Sequence, residues 1–258
     1  MAIQPRFLYN NVLRGITPTW SGTSVSGSTY ENALDWLDYS YFQANSGNLD
    51  FTMTADTDID TLSIYVANFT GTGSQSIVLQ YESSPSTFTT LVTKTTTSGK
   101  LSFDDFSGVT VSSGRKIRFV ITVGTGALLI RQLVVGESMT AERGQWASAT
   151  PPTFYQGIKV TNSISQNGSI LGRSIKRVEK QGQIKLDHLS ASWVRSTWEP
   201  FAQHAARYAF IYQWNERNYP LETAFAIAQD IKAPNHTNSG LLSVDMPCRF
   251  LVADENAI

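Results

Sequence analysis

The chain has 258 residues, 41% of them hydrophobic and only 16% charged, with a net charge of −1 and a pI near 6.3. That apolar content supports a packed core and excludes wholesale disorder, and a near-neutral balance opposes a nucleic-acid partner, which demands a basic surface. A single cysteine, Cys248, excludes an intrachain disulfide, and no run reaches the ~18 apolar residues of a membrane helix.

The N-terminal stretch MAIQPRFLYNNVL lacks the apolar core of a signal peptide, so synthesis in a cytoplasm, without membrane insertion, is expected. The sequons at Asn68, Asn167 and Asn235 then read as chance matches. Residues 16–47 are loop-like and aromatic, with one short helical turn around 31–37. Their rings either plug the open end of a sandwich or stack on sugars; Trp20, Tyr30 and Trp36 are the candidate glycan contacts. Strand patterns follow at 49–55, 61–69, 76–83, 87–97, 100–106, 115–123 and 127–136, separated by the turn clusters GTGSQ, SSPS, TSGK, SSGR and GTG. Strands spaced roughly 8–12 residues apart with turns between them predict a β-sandwich. In KIRFVITV, Ile117, Phe119, Ile121 and Val123 form the expected buried face.

A polar break ending in Pro-Pro covers 136–152. Charge shifts across it: residues 1–130 carry seven Lys/Arg and ten Asp/Glu, net −3, whereas 131–258 carry thirteen and eleven, net +2. The expected organisation is a first β domain over 1–138 and a smaller β domain, a sheet or split barrel with one helix, over 139–258. In the second, strands at 154–164 and 169–189 flank Asn167 and Gly168, a hairpin signal. A second hairpin is expected to turn at Gln181 and Gly182. The basic residues Arg173, Lys176, Arg177, Lys180 and Lys185 read as a solvated strand face. Ser190 or Ser192 caps a helix near 190–207, with Trp193, Thr197, Phe201 and Ala205 on its apolar stripe. Pro200 kinks or restarts it. Closing strands at 208–215, 223–231 and 241–252 follow, and Pro247 marks the last as an edge or bulged strand.

Nothing carries catalytic chemistry. His188, His204 and His236 lack ligand spacing, and the GTG triplets are turns. DTDID (56–60) has neither the glycine nor the glutamate of a calcium loop and reads as a turn into the next strand. Asp104 and Asp105 are adjacent, so on a strand they point to opposite faces and cannot act as a facing pair. No enzyme activity, cofactor or metal is expected.

The stretch GRSIKRVEKQGQIKLDHLSASWVRSTWEPFAQHAARYAFIYQWNERNYPLETAFAIAQDIKAPNHTNSGLLSVDMPCRF, covering roughly 170–250, resembles the distal-tail or minor tail-tip (baseplate) proteins of long-tailed bacteriophages. NALDWLDYSYFQA and DTLSIYVANFTGTGSQSIVLQYES are similar, more weakly, to discoidin-like (galactose-binding-like) jelly rolls. The resemblance implies a virion structural protein at the phage tail tip, made in the host cytoplasm. It would assemble as a ring-like homo-oligomer around the tail axis and contact the tail tube, hub, tape measure and fibres. On that reading Trp193, Arg195, Trp198, Arg207, Trp214 and Tyr219 serve assembly. The alternative is a carbohydrate-binding adhesion module that grips host glycans through the first domain.

Overall fold

The computed structural model describes residues 4–23, 28–37, 39–70, 74–95, 100–144, 151–152, 157–238 and 240–252. The strands are, in chain order, β1 (Arg6–Leu8), β2 (Thr19–Trp20), β3 (Phe42–Ala44), β4 (Gly47–Thr52), β5 (Thr57–Thr70), β6 (Gln75–Ser84), β7 (Thr87–Thr95), β8 (Lys100–Leu101), β9 (Asp104–Val111), β10 (Lys116–Val123), β11 (Ala127–Gly136), β12 (Met139–Thr140), β13 (Gly157–Ile164), β14 (Ile170–Ser190), β15 (Phe210–Gln213), β16 (Thr223–Ala228), β17 (Asn235–Asn238) and β18 (Leu241–Val252). A 3-10 turn over Tyr30–Ala33 stands where a helical turn is expected.

Two five-stranded antiparallel sheets, β2-β4-β10-β6-β7 and β3-β11-β5-β8 with β9 on β5, face each other as a sandwich. Period-2 alternation builds its core: Leu49, Phe51 and Met53 of the first sheet's β4–β10 end, and Ile117, Phe119 and Ile121 of β10, meet Leu62, Ile64, Ile130 and Leu133 of the second. On the outer face of the first sheet, Asp50 accepts two bonds from Arg118 at 2.7 Å, and the guanidinium lies 3.6 Å from the centroid of the Phe88 ring. This face is polar, as the alternation of β10 requires.

The remaining strands form a second sheet, β12-β1-β15-β16-β18-β14-β13, with β17 on β18. Its first strand comes from the N-terminus: Arg6, Phe7 and Leu8 pair with Gln213, Tyr212 and Ile211. The sandwich is thus inserted between β1 and β12, which lie side by side. The helix covers one face of this sheet and runs through α1 (Ala191–Trp193), a π turn (Val194–Trp198) and α2 (Glu199–Ala205). Ser190 caps it, its hydroxyl accepting from the Trp193 N–H at 3.2 Å. The π turn widens the backbone just before Pro200: the Glu199 N–H reaches back five residues to the Val194 carbonyl, and this looser turn accommodates the proline that follows.

Two local expectations are corrected. β14 runs unbroken through Gln181 and Gly182. Gly182 pairs with Cys248, and a Cβ there would stand 2.4 Å from the Phe250 ring, so the glycine makes room for a cross-strand aromatic and does not turn the chain. β18, which holds Pro247, is an interior strand between β16 and β14. Proline is tolerated because it sits where the β16 ladder ends: the Gln229 N–H just beyond β16 still donates to the Pro247 carbonyl at 2.8 Å, and the missing N–H costs only the last bond on that side, since β17 pairs no further than Ser243. The side chains at 174–180, which include three of the basic residues, lie outside the described ones; Arg173 is exposed.

Candidate functional site

The sandwich and the second sheet share an apolar seam. Leu101, Phe103, Val134 and Trp36 from the sandwich side pack against Leu8, Ala209, Ile211 and Phe225. This explains why β5 buries both of its faces, Thr61 and Ser63 as well as Leu62 and Ile64. A single wet face, the expectation for an isolated sandwich, holds only for the other sheet.

A cleft of about 260 Å³ opens at this seam, lined by Ile64, Val66, Lys94, Thr95, Leu101, Ser102, Phe103, Asp104, Pro220 and Leu221. It exists because the stretch 100–106 is not one strand but two, β8 and β9, broken at Ser102 and Phe103. β5 holds the break: the Ser102 N–H donates to the Ile64 carbonyl at 2.9 Å, and the Ser63 hydroxyl donates to the Ser102 carbonyl at 2.6 Å. Phe103 drops into the seam, and Asp104 turns to Lys94, its Oδ1 lying 2.5 Å from Nζ. The other carboxylate oxygen, Asp104 Oδ2, and the Ser102 hydroxyl are buried with no hydrogen-bond partner among the described residues. Each such orphan costs about 1–3 kcal/mol. An apolar floor with a few converging polar groups is the usual build of a ligand pocket.

On the reverse side of the same strand lies Arg6. Its guanidinium pairs with Asp105, sits 3.3 Å from Glu216 and 3.9 Å from Asp60, and donates to the Thr61 and Ser138 hydroxyls. The Phe103 ring lies beneath it at 5.3 Å. Loss of hydration on burial lowers the Arg6 pKa, opposed by Glu216 and Asp60. Elsewhere burial, aided by Arg14, lowers that of His204, whose Nε2 lies 3.3 Å from the Ala209 carbonyl. Burial also pushes the Tyr212 phenol and the Cys248 thiol up, so neither ionises at neutral pH.

The residues singled out from sequence fall elsewhere. Trp36 is 5% exposed, wedged between Phe225 and His204 in the seam, and offers no ring face to a sugar; this corrects the expectation. Trp20 is half-buried, edge-on to Phe42 and pressed by the backbones of Gly22 and Gly47, and Tyr30 is half-buried against the sandwich core. The exposed rings of that loop are Tyr39 and Tyr41. Trp198, at 2% exposure, is a core residue packed by Phe7, Phe201 and Trp193, so it presents nothing to a partner. Trp193 is partly buried, and Arg195 and Arg207 are exposed. Trp214 stacks on Tyr219 at 5.2 Å and donates to Glu222 at 2.6 Å, which stiffens the β15–β16 connection. Among the described residues no group of His, Cys, Asp and Glu is arranged to hold a metal, and no helix is long and apolar enough to cross a membrane.

Fold and site together define a mainly β protein in which a sandwich is mounted on a sheet-and-helix unit. No protein-family model and no curated protein matches the chain. Solved structures that match half of it include three carbohydrate-binding modules. One is chitosan-binding module 1 of a chitosanase/glucanase from Paenibacillus sp. IK-5 (15% identity, 50% of this chain, 99% of that one, TM-score 0.40). Another is CBM32-1 of a family 31 glycoside hydrolase from Clostridium perfringens (16%, 50%, 99%, 0.42). The third is CpGH89CBM32-5 from Clostridium perfringens, in complex with GalNAc-β-1,3-galactose (12%, 50%, 100%, 0.40). A Ruminococcus gnavus GH29 fucosidase also matches, but the chain spans only 27% of it (18%, 50% of this chain, 0.41).

Proposed function

We propose that this protein is a non-catalytic carbohydrate-binding protein, and that the seam cleft holds one sugar residue. The observation that carries the reading is the cleft itself, in which Lys94, Ser102 and Asp104 border an apolar floor of Ile64, Val66, Leu101 and Phe103. A sugar ring suits such a lining: its hydroxyls can exchange bonds with the polar side chains at the border, and its C–H face can cover the apolar ones. Lys94 retains donors for a further hydroxyl. Binding, not hydrolysis, fits the described lining, which offers the one carboxylate of Asp104 where glycoside cleavage uses two. The test is a glycan array followed by calorimetry with the full chain. Asp104→Asn and Ser102→Ala are expected to weaken binding about tenfold each, the worth of one hydrogen bond to a charged or buried group. A wild-type chain that binds no sugar sinks the reading.

A second reading, a structural role in a virion tail tip with partners in neighbouring tail proteins, is favoured by a different observation. β13 and the first half of β14 form a two-stranded ribbon in which Ile170 to Glu179 pair with β13, while β18 takes over only from Lys180. Near its turn Ile164, Ile170 and Leu171 are 61%, 72% and 71% exposed. Isolated ribbons are marginal in water, and clustered exposed apolar side chains mark contact surfaces. Light scattering with negative-stain imaging checks it: assembly that is lost in Ile170→Ser/Leu171→Ser supports this role, and a monomer indifferent to that change opposes it. The two readings assign different parts of the chain and are compatible.

A further inference from the structure

The walls of the cleft come from two units, and one side chain on the far side of β9 reaches both. Asp104 lines the cleft while Asp105, the next residue, binds Arg6. Phe103 lines the cleft, and its ring lies under the same guanidinium. Pro220 and Leu221 form the opposite wall, and Glu216, at the start of that connection, is the third contact of Arg6. Between Glu216 and Leu221 the backbone is pinned: the Tyr219 N–H donates to the Asn215 carbonyl at 2.9 Å, the Asn218 N–H to Asn215 Oδ1 at 3.0 Å, and Gln213 Nε2 to the Pro220 carbonyl at 3.1 Å. A shift of Glu216 is therefore carried to Leu221.

We propose that Arg6 is a positioning residue for the cleft, holding the Phe103–Asp104 wall and the Pro220–Leu221 wall at the separation a sugar ring needs. This rests on the carbohydrate-binding reading for its ligand but not for its geometry. The electrostatics give the clamp its direction. Three carboxylates, Asp60, Asp105 and Glu216, converge on one guanidinium whose side chain is 17% exposed. With the cation present they are drawn together across the seam; without it, partly buried like charges face one another and the walls move apart. Arg6 is not among the residues that line the cleft, and acts through its neighbours.

The experiment pairs two measurements on the full chain: calorimetric titration with the best-bound sugar of the array, and hydrogen exchange over residues 214–222. In Arg6→Gln, affinity is expected to fall roughly tenfold, the loss for one misplaced hydrogen bond to a charged group, and exchange over 214–222 to accelerate. Arg6→Lys, which keeps the charge, restores part of both. Asp104→Asn is expected to lose affinity with exchange over 214–222 unchanged, which separates a contact from a positioning effect. Wild-type affinity in Arg6→Gln overturns the proposal. If the wild-type chain binds no sugar, the carbohydrate reading fails on its own, and exchange still decides the clamp: unaltered protection over 214–222 overturns it, faster exchange supports it. If Arg6→Gln does not fold, Glu216→Gln, which removes one arm and leaves the cation, is read by the same criteria.

Discussion

Asp104 and Asp105 are consecutive in β9 and serve opposite sides of it: Asp104 reaches Lys94 in the cleft, and Asp105 reaches Arg6 in the seam behind it. The alternation of a strand makes this division automatic. The paired variants should therefore separate. Asp104→Asn is expected to weaken sugar binding while leaving thermal stability nearly unchanged, because the pair with Lys94 is partly solvated and worth at most about 1 kcal/mol. Asp105→Asn is expected to lower the melting temperature as well. Calorimetry of both variants, scanned with and without sugar, checks the split.

Trp36 is the wedge of the seam. It lies in the left-handed region, at φ +60, and its ring packs on Phe225 and His204. Trp36→Ala should cost about 3–5 kcal/mol, the usual price of deleting a buried aromatic, measured by urea denaturation. A loss below about 1 kcal/mol would show that the seam is not a packed interface.

Gly182 is needed for space. A methyl group there meets the ring of Phe250, on the paired strand β18, at 2.4 Å. Gly182→Ala is expected to destabilise by about 1–3 kcal/mol through overpacking. Adding Phe250→Leu should recover part of that loss, and a double-mutant cycle in urea reads the coupling.

His204 gives stability a pH dependence. Burial and the nearby Arg14 depress its pKa below 6.5, so the folded chain prefers the neutral ring while the unfolded chain takes up a proton near that value. Its contribution is complete above pH 6.5 and is lost as the pH falls below it towards the folded pKa. His204→Gln should reduce the drop in melting temperature between about pH 7.5 and about pH 5.5. An identical drop in both chains excludes His204 as its source.

Much of the fold is legible in the sequence. The alternation of Leu49, Phe51 and Met53, of Leu62, Ile64 and Val66, and of Ile117, Phe119 and Ile121 places three strands of the sandwich, since apolar residues at period 2 have only one way to leave water together. The Ser190 cap, the helix irregularity at Pro200 and the Asn167–Gly168 turn are likewise local matters, decided within a few residues. The candidate site is less legible. Asp104 and Asp105 can be placed on opposite faces from their adjacency, yet nothing near them in the chain announces Lys94, ten residues earlier in another sheet, or Arg6 and Leu221 at opposite ends of the sequence. The aromatic loop misleads for the same reason: Trp36 looks like a platform until a second sheet is laid over it.

Sequence by itself thus determined most of the longer strands, the helix and their buried faces, because hydrophobic periodicity, caps and turn residues act over short range. Only the tertiary structure decided that Gly182 faces a ring, that Pro247 sits inside the sheet at the end of the β16 ladder, and that β1 joins β15. It alone also set the cleft, since that depends on two sheets meeting at the break between β8 and β9, and no local pattern encodes where distant surfaces come to rest against each other.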